Sequence, residues 1–202
     1  MEEPWIIAVD GELMNRSRVS IDEIFELSEY ISADLLSTVR FPEKSVKLYY
    51  KMNGGKFFKL ERYDVLPAYS SILLVSGRLR DLMFDICGER EVAAFEAIIT
   101  SKYGETMSGW NVVPRLLRPC VDLKKSNVRK WIVENESPMF LDSIELHPGC
   151  MGGHNFVRDQ GAGRFIFVSS KLKDAIEELN SHGVKFFRSS DYRDGAFRAD
   201  NA

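Results

Sequence analysis

One segment near the C-terminus, FIFVSSKLKDAIEELNSHGVKFFR, has a shorter echo earlier in the chain, ILLVSGRLRDLMFDI. In each copy an apolar run (Ile72 to Val75; Phe165 to Val168) meets a serine that opens an amphipathic segment. Val75 and Ser76 match Val168 and Ser169, Leu79 and Asp81 match Leu172 and Asp174, and Arg78 and Arg80 match Lys171 and Lys173. A serine at this position accepts a hydrogen bond from a helix amide that has no partner within the helix, so each serine reads as an N-cap. Leu79, Leu82, Met83 and Ile86 then fall on one helical stripe, and Leu172, Ala175, Ile176 and Leu179 on the other. The second helix stops at Ser181-His182-Gly183, where glycine takes the left-handed conformation, and Val184 to Phe187 follows as a strand. The unit is strand, helix, strand, at about residues 70–100 and 163–188. Any fold for this chain has to accommodate it twice.

The repeat settles an ambiguity in its first copy. GEREVAAFEAIITSKYGE has helical propensity, yet a strand should follow the helix, and Phe95, Ala97 and Ile99 alternate with Glu96 and Ile98. The expectation is a strand over Ala93 to Thr100, a turn at Tyr103-Gly104, and a return strand over Trp110 to Leu117 whose proline suits an edge or a bulge. Further strands are expected at Trp5 to Val9, Trp131 to Val133, Phe140 to Leu146, Asn155 to Val157 and Phe165 to Val168. Ser20-Ile-Asp-Glu23 has the form of a capping box opening an acidic N-terminal helix that ends before Pro42. SVKLYYKM, NGG and KFFKL read as a hairpin. The fold class is α+β: two related strand-helix-strand halves, antiparallel hairpins and the acidic N-terminal helix, in a single domain over residues 1–202.

The 202 residues can bury a core without staples, and no apolar run is long enough to span a bilayer. The first residues, MEEPWIIAVDGELM, lack the basic segment of a secretory signal, and Cys87, Cys120 and Cys150 form no close pair, so a reducing cytoplasm is the expected setting. Charge is unevenly spread. Residues 1 to 43 carry ten acids against Arg16, Arg18 and Arg40, a net −7, and the remainder of the chain is at +4. That imbalance favours a basic protein partner over nucleic acid, with Asp22, Glu26 and Glu29 on one stripe of the expected helix as its contacts. A solvated helix face explains the same acids.

Reactive chemistry is sparse. His147, Cys150 and His154 lie in a glycine-rich loop with the spacing of zinc ligands, but a structural site would need a fourth from elsewhere, such as Cys120. The competing reading is a turn entering a strand. Cys150 beside either histidine lacks an orienting third residue for nucleophilic catalysis. Gly152-Gly153 and Gly161-Ala162-Gly163 lead into strands instead of the helix N-terminus that a phosphate cradle needs. The aromatic and basic mixture of KLYYKMNGGKFFKLERY suits stacking on single-stranded nucleic acid, and an amphipathic hairpin accounts for it too. No cofactor is implied.

PAYSSILLVS with its helix, FEAIITSKYGE, RPCVDLKKS and FVRDQGAGRFIFVSSKLKDAIEELNSHGVKFF together resemble a bacterial family of immunity proteins, found beside polymorphic toxins that they bind and silence. The resemblance covers about residues 60–190, with residues 1–60 less similar. It implies a toxin-neutralising binding module without catalytic residues. A metal-dependent domain built on His147, Cys150 and His154, or an oligomeric scaffold, is the alternative.

Overall fold

The computed structural model describes residues 2–10, 20–24, 46–54, 57, 60–68, 73–133 and 137–192. Its elements are mixed α and β, mostly strands with two α-helices among the described residues. In chain order they are β1 (Trp5–Val9), β2 (Ser20–Glu23), β3 (Lys47–Asn53), β4 (Leu73–Val75), α1 (Gly77–Cys87), β5 (Val92–Ser101), β6 (Thr106–Pro114), β7 (Leu117–Arg118), β8 (Asn127–Val133), β9 (Ser137–Ser143), β10 (Phe156–Asp159), β11 (Ile166–Val168), α2 (Ser170–Glu178) and β12 (Val184–Phe187). No helix among the described residues is long and apolar enough to cross a membrane.

Two five-stranded sheets dominate, in the orders β2-β3-β5-β6-β4 and β12-β1-β11-β10-β7, with β8 and β9 forming a separate pair. β4 and β5 both run antiparallel to β6. They are therefore parallel to each other with β6 between them, joined by α1. β11 and β12 both run antiparallel to β1, so the same arrangement recurs with α2 as the connection. The middle strand follows the first unit in the chain and precedes the second.

The first sheet closes on itself. Val65 bridges Val75 of β4, and Ala68 bridges Ile21 of β2, so the segment from Val65 to Ala68 joins the two outer strands. Inside this ring lie Ile21, Leu48, Tyr50, Met52, Leu74, Ala97 and Ile99, each at most 1% exposed. The alternation of β3, with Leu48, Tyr50 and Met52 inward, is that of a strand packed on one face. A second core is shared by both units. Val75, Leu79 and Met83 meet Val168, Leu172 and Ile176, so the two helices bury their stripes against one another and both sheets. A third lies on the far face of the second sheet, around Ile6, Cys120, Val157, Phe165 and Phe167.

Four sequence expectations need correction. Ser20–Glu23 is a strand, paired antiparallel with β3, and not the start of a helix. Ile21 is the reason: at 0% exposure it fills the ring, and its amide donates to the Pro67 carbonyl at 3.1 Å. The rest of the expected helix lies outside the described residues. The hairpin after β3 does not form either. Gly54 takes a positive φ of 79°, but the Leu60 amide donates to the Phe57 carbonyl at 2.7 Å and the Tyr63 amide to the Leu60 carbonyl at 2.8 Å, and β3 pairs instead with β2 and, in parallel, with β5. The return strand breaks at Pro114, leaving Leu117–Arg118 as a separate short strand in the other sheet. The helix stop of α2 is also displaced: Asn180, at φ 51°, is the left-handed residue, and Gly183 at φ 91° opens β12. The strand over Val92–Ser101, with Gly104 turning at φ 81°, agrees with the reading taken from the repeat against local propensity.

Candidate functional site

The two serines cap their helices alike. Ser76 (φ −68°, ψ 161°) accepts from the Leu79 amide and Ser169 (φ −70°, ψ 160°) from the Leu172 amide, each at 3.2 Å. Each hydroxyl then donates, at 2.8 Å, to a side chain just before a neighbouring strand: Asp64 Oδ1 in the first unit, Asn155 Oδ1 in the second. The same two residues accept the serine amides through their carbonyls, at 2.9 and 3.0 Å. Each tether is in turn held by the loop that follows the other unit's helix. The Asp64 and Val65 amides donate to the His182 carbonyl, at 2.9 and 3.1 Å, and the Asn155 and Phe156 amides donate to Glu91 Oε2, at 2.8 and 3.2 Å. The units thus clasp each other reciprocally.

A second parallel lies on the surface. Trp110 of β6 stands opposite Val75, and Trp5 of β1 stands opposite Val168. The Arg80 guanidinium lies 4.0 Å from the Trp110 ring centre, and the Lys173 ammonium 4.7 Å from that of Trp5. A Cβ on Gly77 would stand 3.8 Å from Trp110 Nε1, where in the second unit Ser170 accepts a hydrogen bond from Trp5 Nε1 at 3.2 Å. The sequence echo pairs Arg80 with Lys173 but cannot pair the tryptophans, because one middle strand follows its unit and the other precedes it. A groove of about 350 Å³ opens beside this second cluster, walled by Trp5, Lys173, Glu177, Val184 and Phe186.

The glycine-rich loop is built as a turn. Gly149, Gly152 and Gly153 have φ of 66°, 61° and 85°, and a Cβ on Gly152 would stand 2.8 Å from Arg118 Nη2. Arg118 Nε donates to the Cys150 carbonyl at 3.2 Å, which fixes the loop over the β7 end. His147, Cys150 and His154 do not converge. His147 Nδ1 lies 3.7 Å from Asp122, His154 Nδ1 lies 3.0 Å from Glu91, and Cys150 is 6% exposed. Among the described residues no three His, Cys, Asp or Glu side chains are grouped as metal ligands. The metal alternative therefore has no geometric support here.

A hydrogen bond with Cys120 lowers the Cys150 thiol below its ordinary value, although burial and the charge of Asp159 act to raise it. Contact with Cys150 and burial raise the Cys120 thiol far above its ordinary value, and burial with Glu91 nearby pushes Cys87 up to about 12. Asp159, 1% exposed, accepts amide hydrogen bonds from Cys120, Val121, Gly161 and Ala162, so the Gly161-Ala162-Gly163 segment wraps a carboxylate of the chain itself. Burial raises its carboxyl above the usual range despite those four donors.

Of the acids expected to meet a partner, Asp22 sits half-buried on β2 and accepts a hydrogen bond from Asn53 Nδ2. Glu26 and Glu29 lie outside the described residues.

What the described residues present is a set of clasped sheets in which tryptophan–cation pairs flank the two helix starts. The chain matches the Immunity protein family (Imm11) over residues 7–191 and belongs to that family. The match extends the resemblance seen over residues 60–190 almost to the N-terminus, so Ile7 to Val9 of β1 and all of the acidic region but its first six residues fall within it. No curated protein matches the chain.

Proposed function

We propose that this protein is the immunity partner of a polymorphic toxin: a cytoplasmic, non-catalytic, single-domain binding module that neutralises a cognate bacterial toxin. Membership of the immunity family over residues 7–191 carries this reading. The toxin presents a basic surface to the acidic N-terminal region, where Asp22, Glu26 and Glu29 make contact, and neither nucleic acid, membrane nor cofactor takes part. Net −7 over residues 1–43 supports steering of a cationic partner, with association that is fast and weakened by salt. The strand-helix-strand units descend from one duplicated element. Their matching caps, tethers and tryptophan–cation pairs support that reading.

The test is capture from a lysate of the source organism with the full chain as bait, at low and moderate salt, followed by mass spectrometry. Retention of one large multidomain protein or its C-terminal fragment, lost as salt rises, is the expected result. Replacing Asp22, Glu26 and Glu29 together by lysine should then weaken binding of that fragment by more than about tenfold. Unchanged affinity would move the interface elsewhere.

A further inference from the structure

Two of the three cysteines, far apart in sequence, meet in the fold. The Cys120 carbonyl accepts the His147 amide at 2.9 Å, Val121 bridges Leu146, and the Asp122 amide donates to the Glu145 carbonyl at 2.8 Å. These contacts make a neck through which the chain enters and leaves the β8–β9 pair. A turn beyond it, closed by the Cys150 amide on the His147 carbonyl at 3.2 Å, carries Cys150 back to Cys120. Both side chains lie in the third core, where the Cys120 thiol donates a hydrogen bond to the Cys150 sulfur, which also accepts the Met151 amide. Access to them is unequal. Cys120 is 0% exposed, whereas Cys150, at 6%, lines a cleft of about 240 Å³ together with Glu3, Gly152, His154 and Ser170.

We propose that Cys150 and Cys120 are a peroxide-reactive pair: hydrogen peroxide entering by the cleft oxidises Cys150, and Cys120 then closes a disulfide across the neck. This goes beyond the immunity reading and is independent of the toxin. In the first step the Cys150 thiolate attacks one peroxide oxygen, the O–O bond breaks, and a sulfenic acid forms while the departing hydroxide takes up a proton. In the second the Cys120 sulfur attacks the Cys150 sulfur, the S–O bond breaks, and the hydroxyl leaves as water with the Cys120 proton. The two thiols give up two electrons, and one peroxide is reduced to two waters. The order of the steps follows from the contacts. Two donors, the Cys120 thiol and the Met151 amide, favour negative charge on Cys150, and Cys120 keeps its proton as long as it serves that sulfur. Oxidation of Cys150 removes the charge and frees Cys120 to react. Cys87 is half-buried and more open to solvent, but burial and the Glu91 charge disfavour its thiolate.

The full chain, reduced, freed of reductant and exposed to hydrogen peroxide, provides the test, with iodoacetamide labelling after denaturation and peptide mapping under non-reducing conditions. The expected product is a linkage between the peptides of Cys120 and Cys150, formed about tenfold or more faster than Cys87 is lost and reversed by dithiothreitol. As a staple at the neck it should raise the melting temperature by about 8 °C. In Cys120→Ser, which keeps a hydroxyl donor, Cys150 should stop at a sulfenic acid that dimedone traps, at a rate within about threefold of the parent. In Cys150→Ser, loss of the Cys120 thiol should slow by about tenfold or more. The map of the parent chain decides the matter even where a variant fails to fold. Oxidation of Cys87 ahead of Cys150, passage of Cys150 to sulfinic acid while Cys120 keeps its thiol, or a linkage that lowers the melting temperature would each overturn the pair.

Discussion

Ser76 and Ser169 adopt nearly the same dihedrals and reach their helix amides over the same distance, but the groups that hold them carry charge in different places. In the first unit the tether is a carboxylate, Asp64, which also receives Arg78 at 2.6 Å, and the clasp on its main chain is a neutral carbonyl, that of His182. In the second the tether is the neutral amide Asn155, and the clasp is the carboxylate of Glu91. The acceptor position is common to both units and its chemistry is not. A hydrogen-bond acceptor in the right place is what the geometry requires, and charge can sit on either side of it. Because the chemistry differs, the two clasps should respond differently to mutation and to acid.

The largest expected effect is at Glu91. Its side chain is 13% exposed and serves the Asn155 and Phe156 amides together with His154, so Glu91→Ala strands two donors and should cost about 3 kcal/mol in urea unfolding. His182→Ala keeps the carbonyl that performs the same task and should fall within about 0.5 kcal/mol of the parent. Equal costs for the two changes would break the comparison. A smaller effect belongs to the surface pairs. Arg80→Ala should cost about 1 kcal/mol through loss of its contact with Trp110. Lys173 also reaches Glu177 and Phe186, and a larger cost at Lys173 than at Arg80 would show that the second pair is the more embedded.

The smallest effect is the most diagnostic. Burial works to raise the Asp64 carboxyl, but hydrogen bonds from Arg78 and Ser76 and the Arg78 charge outweigh it and hold it below its ordinary value. Stability from a depressed carboxyl is present above the unfolded value of about 4 and is lost as pH falls through the lower folded value. Asp64→Asn copies the second unit's tether. It should melt slightly below the parent at about pH 7 and together with it at about pH 2. A difference that persists in acid would show that the hydroxyl bond, not the ion pair, had been damaged.

The parts legible in the sequence were those in which local chemistry and long-range demand agree. Ser76 and Ser169 cap wherever a helix begins, and Val92–Ser101 reads as a strand once its place after α1 is given. Ser20 to Glu23 misled because a capping box looks identical whether Ile21 faces a helix stripe or the interior of a ring, and Ala68, which decides the matter, is remote in sequence. The NGG turn misled in the same manner: glycine permits a hairpin, and the partners available to β3 determined otherwise. His147, Cys150 and His154 had zinc-like spacing, but spacing cannot show that Asp122 and Glu91 engage the two imidazoles. The reciprocal clasp through Asp64, Asn155, Glu91 and His182 has no motif at all, since three of its four acceptors of main-chain amides are backbone carbonyls that any residue possesses.

The exchange of clasps has a consequence for how the molecule comes apart. Each capping serine is fixed by a tether that the other unit's loop holds, and Leu79, Met83, Leu172 and Ile176 share one core. Neither strand-helix-strand unit carries everything its own helix start requires, so excising one leaves the other with stranded amides. The two helices should therefore lose protection from exchange together, as one cooperative block, and a fragment ending between Arg118 and Asn127 should not refold as half a protein.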